Sequence, residues 1–393
     1  MVSPDQAWEA LAGAAIPLPA RRVPLGRAGG AFLAEDVAAA TAFPPAAVAA
    51  MDGYAVRAEE ASKARLPVAF TVPAGTLPPP LPVGFCARIF TGGVLPAGAD
   101  GVVPQEEVQL QEGQVEFPAH LAPGANIRQA GEVFAAGSTL LRAGTLLTPA
   151  RVALLAAAGV RQVSVHAKPR VAVLATGSEL VSRDARLGQI YDSNTPLLAV
   201  FLAQAGFPLV RRRRVSDRFG RLQAALRELA GSAEVVVTTG GVSVGELDLV
   251  PQAVATLGGE VLFHGVSMQP GKPLLAARLG TRFLVGLPGN PLSVLVGFRL
   301  FLLPLLRALA GESQAFSFPW LPVPLAQAVV NKGGRWQFRP ALLVATEEGP
   351  RVEVLPWKGS HDLVAGAQAT VLARLAPQRA YRAGEVVPVL PLA

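Results

Sequence analysis

Residues Glu234–Asp248 read EVVVTTGGVSVGELD. A β-branched run breaks into glycines and hydroxyls, and acidic residues follow at once, the pattern of a buried strand, a loop and a helix start. Glycines let backbone N–H groups approach an anion because no Cβ intervenes. A helix beginning near Asp248 would add its positive end. In an α/β domain such a loop lies at the carboxyl end of a strand, where ligands bind, so the expected occupant is phosphorylated or otherwise anionic. Two other readings compete. Gly241-Val242-Ser243-Val244-Gly245 also satisfies the G-x-S-x-G nucleophile elbow, with Asp248, His264 and His361 as nominal partners. A plain glycine turn is the third.

Outward from this loop the texture alternates. VAVLAT from Val171 is a strand, Thr195–Gln204 a helix capped by Asn194, and PLVRRRRV a strand. Arg218–Leu229 is a helix behind Asp217, whose simplest role is an N-cap, and Leu249–Leu257 is another helix. VLFHGV, LLAARL and RFLVGL are strands, and Pro291–Ala310 closes the segment as a buried helix interrupted by Arg299, Pro304 and Arg307. This alternation predicts a mostly parallel sheet covered on both faces. Before it, residues 3–13 and 149–159 read as helices, residues 45–145 as mostly β, and 108–117 as a hairpin turning at Glu112-Gly113. After Pro319 the chain returns to short strands.

Composition excludes several classes. With 51% hydrophobic and 16% charged residues, the 393-residue chain is not disordered. One cysteine, Cys86, rules out an internal disulfide and a cysteine-rich zinc site and fits a reducing cytoplasm. The first residues lack a signal-peptide pattern, and no uninterrupted apolar run predicts a membrane span. The net charge of +7 carries no nucleic-acid motif, and its one dense cluster, Arg211–Arg214, reads as a solvated strand edge.

Further motifs stand at strand ends: Thr176-Gly177-Ser178-Glu179, Gly188–Asn194 (GQIYDSN), Pro270-Gly271-Lys272-Pro273, and Gly286–Pro291 (GLPGNP) with Ser293 just inside the helix. Lys272 on its rigid turn suits an oxyanion. The amino-terminal half adds MDGYAV from Met51 and TGGVLPAGADGVV from Thr91, where Asp52 before glycine is also a plausible turn residue.

Together and in this order, MDGYAV, TGGVLPAGADGVV, TGSEL, GQIYDSN, TTGGVSVGELD, PGKP and GLPGNP resemble the molybdopterin molybdenumtransferase family, the bacterial MoeA proteins and the E domain of gephyrin. The resemblance covers nearly the whole chain. It implies a multidomain α/β plus β fold: residues 1–44 with 141–168 as amino-terminal helix and extended linker, 45–140 as a β-rich lid, 169–312 as a three-layer molybdopterin-binding α/β domain, and 318–393 as a small β-barrel. It further implies a cytoplasmic homodimer, with a molybdopterin adenylyltransferase as a possible partner. The implied reaction uses adenylylated molybdopterin, molybdate and Mg2+ and releases AMP. Carried over to matching positions, Glu179, Asp217 and Asp248 would bind the metal, with Asp52 and Thr91 contributed by the other subunit's lid. Thr176, Gly177, Ser178, Asn194, Gly240, Gly241, Ser243 and Gly245 would cradle the ligand, joined by Pro273, Pro288, Asn290 and Pro291. Lys272, Ser293, Ser360 and Arg339 or Arg335 would receive molybdate.

The chain departs from the family pattern at Val133, where the family usually has a lid aspartate, and at Gln269, where it has a lysine. Ser178 also replaces a common aspartate. These departures leave open an impaired molybdopterin-binding paralogue, a tungstate-preferring enzyme, or a scaffold.

Overall fold

The structure, a computed structural model, describes residues 1–61, 65–118, 120–242 and 249–392. Its centre is a six-stranded sheet in the order Leu209–Val215, Val171–Thr176, Val235–Thr239, Arg282–Leu287, Leu275–Leu279, Glu260–His264. The first four strands are parallel and the last two pair antiparallel. Val171–Thr176 and Val235–Thr239 are buried along their whole length, which is why their sequences run apolar instead of alternating. Odd and even residues still part company. Val171, Val173, Val235 and Val237 pack with Leu198, Leu202 and the closing helix, whereas Ala172, Leu174 and Val236 pack with Leu222, Leu226 and Val254.

The closing helix, Pro291–Leu309, is long and apolar enough to cross a membrane, yet most of it is buried inside this layer. It widens to a π turn over Phe298–Leu302, where Leu303 N–H reaches back to the Phe298 carbonyl. Pro304, lacking an N–H, cannot complete the regular ladder there.

A narrow ribbon leads away from the centre. Ala20–Pro24 pairs with Gln162–His166, Val37–Ala38 with Thr139–Leu141, and Val48–Ala49 with Ile127–Arg128. At its far end lies a second six-stranded sheet, including Gly53–Val56, Cys86–Ile89, Gly101–Pro104 and the hairpin Gln109–Gln111/Gln114–Glu116. Glu112 and Gly113 both adopt positive φ, as the tight hairpin turn requires.

The carboxyl-terminal strands run in the order Leu321–Pro324, Val386–Pro391, Val371–Leu375, Trp336–Thr346, Gly349–Val354, and a bridge from Leu325 to Val352 brings the last back to the first. Met268–Gln269 of the central unit joins this sheet beside Trp336–Gln337.

Candidate active site

A cleft of about 420 Å3 opens at the carboxyl edge of the parallel strands. Its walls are the loops that follow them. Thr176 ends the strand Val171–Thr176 and Gly177 and Glu179 follow it, Asp217 follows the arginine-rich edge strand, Gly240 and Gly241 follow Val235–Thr239, and Pro288 and Asn290 follow Arg282–Leu287. Asn194 and Pro273 complete the set that the sequence anticipates.

Close approach explains the glycines. A Cβ on Gly240, whose φ is +88°, would lie 2.7 Å from the Thr176 carbonyl oxygen, and one on Gly177 would lie 2.6 Å from both Glu179 carboxylate oxygens. The Thr176 hydroxyl donates to the Thr239 carbonyl at 3.3 Å, tying the two loops at their base. One expectation fails here. The N–H of Gly240 donates to the Leu287 carbonyl at 3.0 Å, so it serves the sheet and is not offered to a ligand. Gly240 contributes space instead.

Ser178 and Asp217 clasp two loops together. The Asp217 carboxylate accepts from the Ser178 backbone N–H at 2.9 Å, and the Ser178 hydroxyl accepts from the Asp217 N–H at 3.3 Å. Asp217 is therefore not a helix cap: the helix starts at Phe219 behind Arg218, with no side-chain cap. Asn194 is not one either. Its helix is held by Asp192, which accepts from the Thr195 N–H at 3.0 Å, while Asn194 Nδ2 donates to the Gly289 carbonyl at 2.6 Å. A carbonyl can only accept, so the amide nitrogen must face Gly289, leaving Asn194 Oδ1 buried and without a partner among the described residues. Thr239, to which the sequence assigned no role, also lines the cleft, and its buried hydroxyl likewise has no partner among the described residues. Gly289 and Val242 also line the cleft, and nothing in their residue types signals it.

The carboxyl-terminal unit reaches the rim. Asn290 Nδ2 donates to the Ser360 hydroxyl at 2.8 Å, and Leu292 N–H donates to the Ser360 carbonyl at 3.2 Å. Arg339 does not line the cleft. It donates to the Leu355 carbonyl at 3.0 Å, lies 4.8 Å from the centre of the Trp357 ring, and has its pKa pushed down to about 10 by burial. Ser293 is buried in the first turn behind Pro291, and Lys272 is exposed on its turn beside Pro273.

Asp52 and Thr91 meet each other but not this cleft: the Asp52 carboxylate accepts from the Thr91 N–H and hydroxyl, both at 2.7 Å. Those bonds, backbone first, hold its pKa below the ordinary 3.8, with Arg88 adding a smaller pull. Val133 is 63% exposed, and the neighbouring Glu132 is engaged by the Gln129 N–H at 2.8 Å, which closes a turn. Gln269 accepts from Gln337 Nε2 at 3.2 Å. Ser243, Gly245 and Asp248 lie outside the described residues, and the helix expected near Asp248 runs over Val250–Thr256 behind Leu249. His264 Nε2 lies 2.7 Å from the Val242 carbonyl and must carry its proton there, so it is not poised as the base of a serine hydrolase. Among the described residues no three His, Cys, Asp or Glu side chains form a metal-binding group. Glu179 and Asp217 give one cleft two carboxylates.

Three family descriptions match the chain in succession: the MoeA N-terminal region (domain I and II) over residues 2–159, a probable molybdopterin binding domain over 172–308, and the MoeA C-terminal region (domain IV) over 322–392. The molybdopterin molybdenumtransferase of Nostoc sp. is 41% identical over 313 residues, covering 77% of this chain and 71% of that one. That of Haemophilus influenzae is 33% identical over 365 residues, covering 91% and 90%. The molybdopterin biosynthesis MoeA protein of Pyrococcus horikoshii superposes with a TM-score of 0.84 over the full length of both chains at 28% identity. A cleft of strand-end loops on this multidomain framework, matched from end to end, has one reading: the chain belongs to the molybdopterin molybdenumtransferase family, transferases of molybdenum cofactor biosynthesis.

Proposed function

We propose that this enzyme moves molybdenum from molybdate to adenylylated molybdopterin with magnesium-dependent release of AMP. The observation that carries the reading is the pairing of Glu179 and Asp217 with the buried, unpartnered Asn194 Oδ1 in one cleft. An anion alone gives no reason for two carboxylates, whereas a pyrophosphate bearing a hard divalent cation does. A free acceptor suits a heterocycle with N–H groups, such as a pterin.

The donor set fits magnesium, which prefers a few carboxylates and keeps several waters. Glu179 and Asp217 would hold it, with Asp248 as a third candidate, and bound there it would neutralise charge on the pyrophosphate. The chain's own work is positional. The Ser178–Asp217 clasp fixes one carboxylate, Gly177 leaves room for the other, and Asn194 orients the ring system. Lys272 and Ser360 flank the molybdate side.

We further infer a cytoplasmic homodimer. Asp52, pre-set by Thr91 and outside the lining of its own cleft, is available to the cleft of a second copy. Helix Asn194–Gln204 is mostly apolar and leaves Val200 57% exposed, a side chain suited to burial against that copy. A molybdopterin adenylyltransferase would supply the substrate.

The neutral Gln269–Gln337 pair favours a second reading, a paralogue that binds molybdopterin but turns over poorly. AMP release from adenylylated molybdopterin, with magnesium and molybdate, decides between them. The transferase predicts turnover that falls at least about a hundredfold in Asp217→Ala. Tight ligand binding without AMP release would establish the paralogue, and no binding would remove the site assignment.

A further inference from the structure

His264 ends the edge strand Glu260–His264 of the central sheet, and a row of register partners runs inward from it. His264 stands opposite Leu275, Leu275 opposite Gly286, and Gly286 opposite Thr238 in the strand that feeds the glycine loop. Gly286 is a glycine because of Val242. A Cβ there would lie 2.5 Å from Val242 Cγ1 and 3.2 Å from Leu275 Cβ. After Gly241 the loop therefore folds back over the sheet, and Val242, 1% exposed, packs in the same apolar cluster as Leu275.

Folding back brings the Val242 carbonyl to His264, whose Nε2 lies 2.7 Å away. A carbonyl only accepts, so Nε2 carries the proton. Among the described residues no backbone N–H donates to this carbonyl, and a buried acceptor without a donor is unfavourable, so the imidazole supplies its bond. The residues just after His264 close on the opposite wall. Gly265 N–H donates to the Leu274 carbonyl and Val266 N–H to the Lys272 carbonyl, both at 2.8 Å, which folds the PGKP turn around Lys272 and Pro273. The start of the chain braces this segment: Val2 N–H donates to the Gly265 carbonyl at 3.1 Å, and Ser267 N–H to the Val2 carbonyl at 2.8 Å. Val242 and Pro273 both line the cleft. His264 ties the first to the segment that carries the second.

We propose that His264 is a positioning residue for the transfer reaction: its Nε2–H sets the spacing between the glycine wall, where molybdopterin lies, and the Lys272–Pro273 turn on the molybdate side. This role rests on the reaction proposed above, because alignment matters where two substrates react with each other. Each wall keeps its own ligand contacts without the imidazole, but a misplacement of about 1 Å between reacting groups can slow a reaction by about a hundredfold.

Two variants of the full chain separate the donor from the bulk of the ring. His264→Phe keeps a flat ring and removes the donor, whereas His264→Gln keeps an N–H of similar reach. Without ligand, hydrogen exchange over residues 235–242 should be faster in His264→Phe and return toward the wild-type rate in His264→Gln. In AMP release, His264→Phe should lower kcat about tenfold or more with KM for adenylylated molybdopterin within about twofold, and His264→Gln should recover at least about a third of the wild-type kcat. Unchanged exchange in His264→Phe overturns the proposal. So does a wild-type kcat in that variant, or an equal loss in both variants, since the bond would then brace the fold without serving the reaction. A wild type that releases no AMP would remove the reaction itself and leave the exchange result to decide whether His264 positions the glycine wall.

Discussion

At the scale of single residues, short contacts set protonation and reactivity. Asp52 is half-buried, and burial raises a carboxyl pKa, so its depressed value comes from the two Thr91 hydrogen bonds. The depressed value means that the resulting stabilisation is present above pH 3.8 and is lost as pH falls through the folded-state pKa. Thr91→Val keeps the backbone donor and removes the hydroxyl, so the Asp52 carboxyl should titrate at higher pH by NMR; an unmoved titration would show that the hydroxyl contributes nothing. Cys86 is the opposite case. Buried against the Leu66 and Pro67 carbonyls, its thiol is pushed up to about 12. It should resist a thiol reagent at pH 8 in the native state and react fully in denaturant. Both residues are conspicuous in the sequence, but their partners come from other strands and loops, so their chemistry is not.

At the scale of elements, the loops after the parallel strands were legible because their signals are local: an apolar β run, then glycine and hydroxyl residues. Which N–H groups remained available was not, because a neighbouring strand decides that. Gly240 shows the difference. Its N–H belongs to Leu287 and its missing Cβ to Thr176. Gly240→Ala should therefore strain the loop by roughly 1–3 kcal/mol, through the clash and the positive φ together. A lower thermal midpoint with weakened molybdopterin binding is the expected result, and an unchanged midpoint would mean that the loop relaxes freely. Asp217 and Asn194 follow the same logic. Both residue types favour caps, but Ser178 and Gly289 capture their side chains instead.

At the scale of the molecule, one arginine fastens the two ends of the chain. The Arg374 guanidinium lies 4.3 Å from the centre of the Trp336 ring, 5.4 Å from that of Trp8 and 5.7 Å from that of Trp320, and donates to the Asp5 carboxylate at 2.9 and 3.1 Å. It thereby holds the helix Pro4–Ala14 against the carboxyl-terminal strands, one of which also pairs with Met268–Gln269 ahead of the PGKP turn. Arg374→Ala should cost about 1–3 kcal/mol and loosen residues 318–392 first. Hydrogen exchange should rise there while the central strands stay protected. Uniform exchange across both units would show that the clip is not specific to this junction.

The sequence by itself determined the alternation of strand and helix, the β-rich flanks, the hairpin at Glu112-Gly113 and the positions of the cleft loops. Hydrophobic period and glycine placement are written over a few neighbouring residues. Only the tertiary structure decided that Thr176, Asp217, Gly240 and Asn290 line one cleft. It also decided that Ser178 clasps Asp217, that Arg339 turns toward Trp357, and that His264 meets the Val242 carbonyl. Those outcomes depend on parallel strand order and on partners distant in the chain, and no local pattern encodes them.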